Sequence, residues 1–265
     1  MPKEKQSVPA AACALVLGIC LLASCASGPG AGKSEEKDPR RQYNLGSIYL
    51  NNLAADDASL NKAISHFQKA LALDPKFYLA HNALGLAHFM KQDFPAAAAA
   101  LEKCLQINPA FAEARNNLGN VHLARGFMGR AEEEFKKALM DETYASRHLP
   151  LFSLAKLAFQ QDKNDEALDY VDRALRHDPR MIMGHLLRGE ILESAEDYEE
   201  ALTSYERASR LMPEDMSLRL RVGLMCLQTG RFDRARENLQ AVMEKSDDPE
   251  LRKKAFEALA TLKAS

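Results

Sequence analysis

Seven histidines, five cysteines and several runs of carboxylates are the residues that could bind a metal ion or act as acid, base or nucleophile. Their spacing does not suit such chemistry. The sequence contains no HExxH or CxxC motif and no complete phosphate-binding loop or nucleophile elbow. His81 and His185 instead lie four residues before helix-packing glycines, where a large side chain is expected. We therefore predict no catalytic residue, no cofactor and no metal site, and a protein that is not an enzyme.

The N-terminal segment has the composition of an export signal. Two lysines lie within its first five residues, and an apolar run follows from Val8 to Leu22. This run is shorter than the roughly 20 residues that a membrane-spanning helix needs. The pattern favours a cleaved signal peptide, with an uncleaved membrane anchor as the alternative.

The tetrapeptide Leu22–Cys25, with the sequence LASC, resembles the lipobox of bacterial lipoproteins. The resemblance implies a signal peptide over residues 1–24 and a lipid-modified thiol at Cys25. In that family an aspartate after the cysteine retains the protein at the inner membrane, so Ala26 implies the outer membrane, facing the periplasm. An ordinary signal peptide with an incidental Cys25 is the alternative. Residues 25–38 are rich in Gly, Ser, Lys and Glu, which predicts a flexible tether.

A regular spacing of alanines marks the rest of the chain. Successive alanines lie 34, 34, 36, 34 and 34 residues apart, and a glycine or alanine lies twelve residues before each, with five extra residues in the first unit. Apolar residues four and seven positions after each alanine share one helix face. Two small residues per unit let two helices approach closely. The six alanines are Ala63, Ala97, Ala131, Ala167, Ala201 and Ala235.

Prolines close four of the units, at Pro75, Pro109, Pro179 and Pro213, twelve residues after the alanine. The whole pattern resembles the tetratricopeptide repeat (TPR) family. The resemblance implies an all-α, right-handed α-solenoid of about six TPR helix pairs with a C-terminal capping helix. The predicted units cover residues 39–249, as 39–77, 78–111, 112–147, 148–181, 182–215 and 216–249, and the cap covers 250–265 with an apolar stripe of Leu251, Phe256, Leu259 and Leu262.

In the TPR family, the first helices of successive units line a concave groove that binds a protein segment. The resemblance places groove-lining side chains of this chain in units two to five. Apolar patches of this kind often mark partner sites, although packing against neighbouring helices is the alternative. The predicted partner-binding residues are Leu79, Asn82, Leu86, Phe89, Met90, Asn116, Asn120, Leu123, Phe152, Lys156, Phe159 and Leu186.

A stretch from the third to the fourth unit is similar to the type IV pilus pilotins, the PilF/PilW/Tgl family. It comprises NNLG at Asn116–Gly119, the helix Ala131–Leu139, DETY at Asp141–Tyr144 and Arg147, and it spans the 36-residue interval. The resemblance implies a lipid-anchored factor that escorts a secretin to the outer membrane. A general periplasmic TPR adaptor for cell-wall enzymes or exopolysaccharide export is the alternative.

Composition limits the other possibilities. The formal charge is −2 and basic residues are interspersed with acidic ones, which argues against nucleic-acid binding. Cys104 and Cys226 occupy core-like positions in units two and six, so we expect buried, unpaired thiols. The glutamates 132–134 and 199–200 are expected to start second helices, where negative charge suits the helix dipole.

Overall fold

The structure is a computed structural model that describes residues 37–51 and 56–264. Residues Asp38–Ser265 group into one compact unit. The described residues form thirteen α-helices and no strand. The helices are α1 (Pro39–Leu50), α2 (Asp57–Leu73), α3 (Tyr78–Met90), α4 (Phe94–Ile107), α5 (Ala112–Ala124), α6 (Met128–Ala138), α7 (His148–Gln160), α8 (Asn164–His177), α9 (Ile182–Ser194), α10 (Tyr198–Leu211), α11 (Met216–Gln228), α12 (Phe232–Lys245) and α13 (Pro249–Ala264).

The twelve helices α1–α12 pack as six consecutive pairs, and α13 packs against both helices of the last pair. We number the pairs as units one to six and call their members the first and second helix. The core is a series of small apolar clusters between neighbouring helices, such as the one that joins Ala155, Val171 and Ile191 across units four and five. The predicted all-α solenoid of about six helix pairs with a capping helix is confirmed.

A close approach at each helix crossing depends on a small residue in the first helix. A Cβ added to Gly119 would lie 2.5 Å from a ring carbon of the buried Phe135 in the second helix. No such space exists in a close-packed interior, so this crossing requires glycine. Unit four has Ala155 at the crossing, and there the buried residue four after the repeat alanine is the smaller Val171. The same close approach occurs at Gly46, Gly85, Gly189 and Gly223.

In units two to six, the second residue after the end of the first helix has left-handed backbone geometry. Gly126 and Gly230 supply it in units three and six, with φ of 78° and 69°. Gln92, Asp162 and Glu196 hold the same geometry in the other units, with φ between 58° and 61°. Glycine adopts this region without steric cost, whereas a residue with a Cβ is strained there.

The connection from unit three to unit four departs from the other connections. Helix α6 ends early at Ala138, and Asp141 accepts hydrogen bonds from the backbone N–H and the hydroxyl of Thr143 at 2.9 and 2.7 Å. These bonds build a turn where the closing proline is missing. Among consecutive described helices, α6 and α7 make the least extensive contact. The longer interval therefore coincides with the loosest junction of the array.

Two sequence-based expectations about side chains are wrong. Glu132–Glu134 do not start their helix, because α6 begins at Met128, and they instead pair with Lys136 and Lys137 one turn further on. Phe256 is not part of a buried stripe, because its side chain is 62% exposed. The stripe instead combines half-buried leucines with the small buried residues Ala255 and Ala258.

The two cysteines of the described residues are free and buried, as predicted. Burial, together with the nearby Glu113 charge, raises the pKa of the Cys104 thiol to about 12. Burial also raises the pKa of Cys226. Both thiols are therefore protonated and unreactive in the folded chain.

Candidate functional site

First helices contact each other between units one and two, two and three, and four and five. Side chains of units two and three also bond directly across this side. Asn82 Nδ2 of α3 donates to Glu113 Oε1 of α5 at 3.0 Å, and Asn117 Nδ2 donates to Asn82 Oδ1 at 3.0 Å. We call the side chains on this side of α3, α5, α7 and α9 the inner face. It is the surface where the sequence predicts partner binding.

The apolar side chains predicted on the inner face are mostly half-buried rather than fully covered. Phe89 packs against the unit-two cluster, with its ring centroid 5.8 Å from that of Phe94. Phe152 and Phe159 pack against the cluster of unit four. Met90 is more open, at 44% exposure. Leu79, Leu86, Leu123 and Leu186 are half-buried as well.

The asparagines of the inner face differ sharply in their surroundings. Asn82 is 5% exposed and fully engaged by its bonds to Glu113 and Asn117. Asn116 is 3% exposed, and its Oδ1 is buried without a hydrogen-bond partner among the described residues. Asn120, one turn further along α5, is half-buried. A buried carboxamide oxygen without a partner costs about 1–3 kcal/mol. The Nδ1 atoms of His122 and His185 also lack a partner among the described residues.

Charge on the inner face is distributed unevenly along the array. Lys156 is exposed, and its Nζ lies 6.0 Å from the ring centroid of Phe152. In units five and six, Arg221 pairs with Glu190 at 2.9 Å and donates to the hydroxyl of Tyr205 at 3.1 Å. The charges of Arg221 and Glu190 are therefore paired within the chain. In units two to four the inner face combines the unpaired Asn116 oxygen with half-buried apolar side chains, and open apolar area continues into unit five at Met183, which is 57% exposed.

Two histidines and one arginine, each four residues before a crossing glycine, hold connections between units. The Nε2 atoms of His81 and His185 each lie 3.0 Å from the carbonyl oxygen of the closing proline six residues earlier. Arg115 donates to the equivalent proline carbonyl at 2.7 Å. Arg147 lies at a different repeat position and donates to the carbonyl of Asp141 at 2.8 Å. The sequence predicts a large packing side chain at His81 and His185 but not these hydrogen bonds.

The six-residue spacing between the proline and the histidine or arginine was the signal that could have identified these bonds. Among the described residues, no group of three or more His, Cys, Asp or Glu side chains could hold a metal ion. In the same part of the chain, no helix is long and apolar enough to cross a membrane. Cys25, the predicted signal peptide and most of the tether lie outside the described residues, so these assignments stay predictions.

Sequence models of known families match most of the solenoid. Models described as tetratricopeptide repeat match residues 88–148, 152–211 and 186–249, and one described as TPR repeat matches residues 59–92. Together they cover well over half of the chain. The chain belongs to the tetratricopeptide repeat family. It is a TPR protein-interaction module, since TPR domains bind protein partners or peptides.

Two solved TPR structures of pilus proteins share this fold. PilF of Pseudomonas aeruginosa is 21% identical, with a TM-score of 0.71 over 86% of this chain and 99% of that one. PilW, described as a widely conserved type IV pilus biogenesis factor, is 19% identical, with a TM-score of 0.68 over 81% of this chain and 97% of that one. At these identities the likeness shows the TPR fold.

A curated relative is similar over a shorter stretch. The DnaJ protein P58IPK homolog B of Oryza sativa subsp. japonica is 27% identical over 159 residues, which are 59% of this chain and 29% of that protein. The TPR chain thus spans less than a third of the curated relatives that it matches. The similarity lies in the repeats that these proteins share.

Proposed function

We propose that the inner face of units two to four binds an extended segment of a protein partner. The observation that carries this proposal is the buried carboxamide of Asn116, whose oxygen has no partner while half-buried aromatic side chains lie on the neighbouring first helices. A primary carboxamide offers one acceptor and one donor group, which match the N–H and C=O of a peptide bond. A flip about χ2 exchanges the positions of the amide oxygen and nitrogen.

The apolar side chains supply the remaining affinity. An extended segment directs alternate side chains to one surface, and Phe89 and Phe152 would receive the apolar ones. Met90 adapts its shape to different side chains because its thioether chain is unbranched and flexible. Lys156 favours a segment with an acidic residue near its end. The predicted binding residues that are half-buried keep enough open area for such contacts.

We further propose that the chain is a lipid-anchored, pilotin-like factor that escorts a secretin of a type IV pilus to the outer membrane. Two observations support this role: the LASC sequence that ends at Cys25, and the fold likeness to PilF and PilW over nearly their whole length. In this role nothing is chemically transformed. The groove holds an apolar secretin segment, and the acyl chains on Cys25 hold the complex at the membrane.

Replacement of Cys25 by alanine tests the anchor and the escort role together. We expect a Cys25→Ala strain to mislocalise the protein and to lose heat-resistant secretin multimers, and mass spectrometry of the wild-type chain to find an acylated cysteine at its N-terminus. An unmodified residue upstream of Cys25 in the mature chain contradicts the anchor. Normal secretin multimers in the variant strain contradict the escort role.

Replacement of Asn116 tests the groove. Asn116→Leu keeps the branching and the number of heavy atoms of the side chain but removes the carboxamide, so we expect a folded chain and loss of partner capture by the full-length protein. Asn238→Leu is the matched control, because Asn238 lies on the second helix α12 and donates only to the carbonyl of Arg234. Equal capture by wild type and Asn116→Leu would exclude the groove. Capture of cell-wall synthases or polysaccharide-export proteins alone would assign the module to the adaptor role.

A further inference from the structure

The C-terminal helix α13 occupies the place of a first helix, and no second helix follows it among the described residues. It packs against α12 and α11, as the other first helices pack against the preceding unit. Its register is also that of a first helix. The crossing residue is the eighth residue of every first helix, as with Gly189 in α9 and Gly223 in α11, and the eighth residue of α13 is Phe256.

Phe256 therefore faces the direction from which a second helix would pack. Its side chain is 62% exposed, one of the most open large apolar residues of the described chain. It lines a groove of about 320 Å³ together with Leu259, Ala260 and Leu262 of α13 and with Arg236 and Gln240 of α12. End caps of solenoids usually present a polar outer face, so an open phenyl ring at this position is unexpected for a simple cap.

Basic residues lie around this groove, and Arg236, the charged residue of its lining, also pairs with Asp233 at 3.4 Å. Arg236 lines it, and Arg252 and Lys253 lie one turn before Phe256 on the same side of α13. Arg252 and Lys253 are exposed, and no carboxylate lines the groove. Two copies of this face would bring like charges together, which disfavours self-association. An acidic partner would be attracted.

We propose that this C-terminal groove, formed by α12 and α13, docks an acidic amphipathic helix of another protein, which takes the place of a second helix in a seventh unit. At this contact, the order of small and large residues is the reverse of that in the other units. In units one to six, a small residue of the first helix faces a large residue of the second, such as Gly189 and Tyr205. At α13 the large residue, Phe256, is on the first helix, so the docked helix needs glycine or alanine opposite it.

A synthetic helix tests this proposal without knowledge of the natural partner. The probe is a fluorescein-labelled, side-chain-stapled peptide with the sequence of Tyr198–Leu211, in which Y205A provides the small residue and R207E and R210E make it acidic. Binding to the full-length chain is measured by fluorescence anisotropy. We expect the affinity to fall at least tenfold when tyrosine is restored at 205, and again when both arginines are restored.

Protein variants then locate the binding surface. Phe256→Ser is expected to weaken probe binding at least tenfold, and R252E combined with K253E to weaken it similarly in low salt. Phe232→Ser is the matched control, since Phe232 is also an exposed phenylalanine, at 52%, but starts α12 and does not line the groove. Equal binding by wild type and Phe256→Ser overturns the proposal. So does a dimer in sedimentation experiments that Phe256→Ser dissolves, because the occupant would then be a second copy.

Discussion

Replacement of Gly119 by alanine tests the packing rule that sets the helix crossings. The added Cβ would lie 2.5, 2.7 and 2.9 Å from three ring carbons of Phe135, which is fully buried. Overpacking of one methyl group in a core costs about 2 kcal/mol. Alanine regains about 1 kcal/mol of helix propensity relative to glycine. We expect a net loss of about 1 kcal/mol in the free energy of unfolding.

Gly129→Ala is the matched control for this prediction. Gly129 lies in the first turn of α6, and a Cβ there has no neighbouring atom within 4 Å. The substitution should therefore stabilise the chain by about 0.5 kcal/mol, because it only restricts the unfolded state. The same substitution should thus lower the free energy of unfolding at Gly119 and raise it at Gly129. Urea unfolding followed by circular dichroism measures both differences.

A double-mutant cycle isolates the contact itself. Phe135→Val alone leaves a cavity and should cost about 3 kcal/mol. Combined with Gly119→Ala it recreates the small pair Ala155 and Val171 of unit four, so the double variant should lose at least about 1 kcal/mol less than the sum of the single losses. Additive losses, or a Gly119→Ala chain as stable as wild type, would refute the reasoning.

Three further predictions concern single positions. Gln92→Gly relieves left-handed strain and should stabilise the chain by about 0.5–1 kcal/mol, whereas Gly126→Gln should destabilise it by a similar amount in urea unfolding. The Cys104 thiol, with its pKa raised to about 12, should react with a thiol reagent at pH 8 only as fast as the chain opens, and fast labelling in native buffer would contradict this. Although partial burial raises the pKa of Asp215, hydrogen bonding by Ser217 outweighs it and lowers the pKa below 3.8. Asp215→Ala should therefore cost about 1 kcal/mol of unfolding free energy at neutral pH. This difference should shrink as the pH falls through the lowered pKa, and unfolding midpoints from pH 7 to 3 measure it.

The repeat architecture could be predicted because close helix packing requires small residues at regular positions of the sequence. Gly119 and the other crossing glycines mark the crossings, since an added Cβ would lie within 3 Å of a side chain of the second helix. The face that α13 presents to solvent could not be predicted. An apolar residue such as Phe256 fits a buried stripe by spacing alone, and only the absence of a following helix among the described residues leaves it open. Ala255 and Ala258, which are buried instead, gave a weak signal because small residues add little to an apolar pattern.

The candidate site stays a prediction from the repeat register, which assigns Asn116 and Asn82 to one face. In the structure Asn82 on α3 and Asn116 on α5 are both buried, and Asn82 bonds to Glu113 of α5. Sequence could not tell which carboxamide has its partners. Asn82 is satisfied by Glu113 and Asn117 from the next unit, and that pairing depends on side-chain distances across helices. The ion pair of Arg221 and Glu190 in units five and six could not be predicted for the same reason.

Site-specific photocrosslinking tests the central claim most directly. A photoreactive phenylalanine analogue is placed at Asn120, on the inner face, or at the exposed Lys103 on the second helix α4, in the full-length chain in its native cells. The account predicts a crosslink from position 120 to one protein partner, reduced by Asn116→Leu, and none from position 103. Crosslinks from position 103 but not from position 120 would show that the partner binds elsewhere.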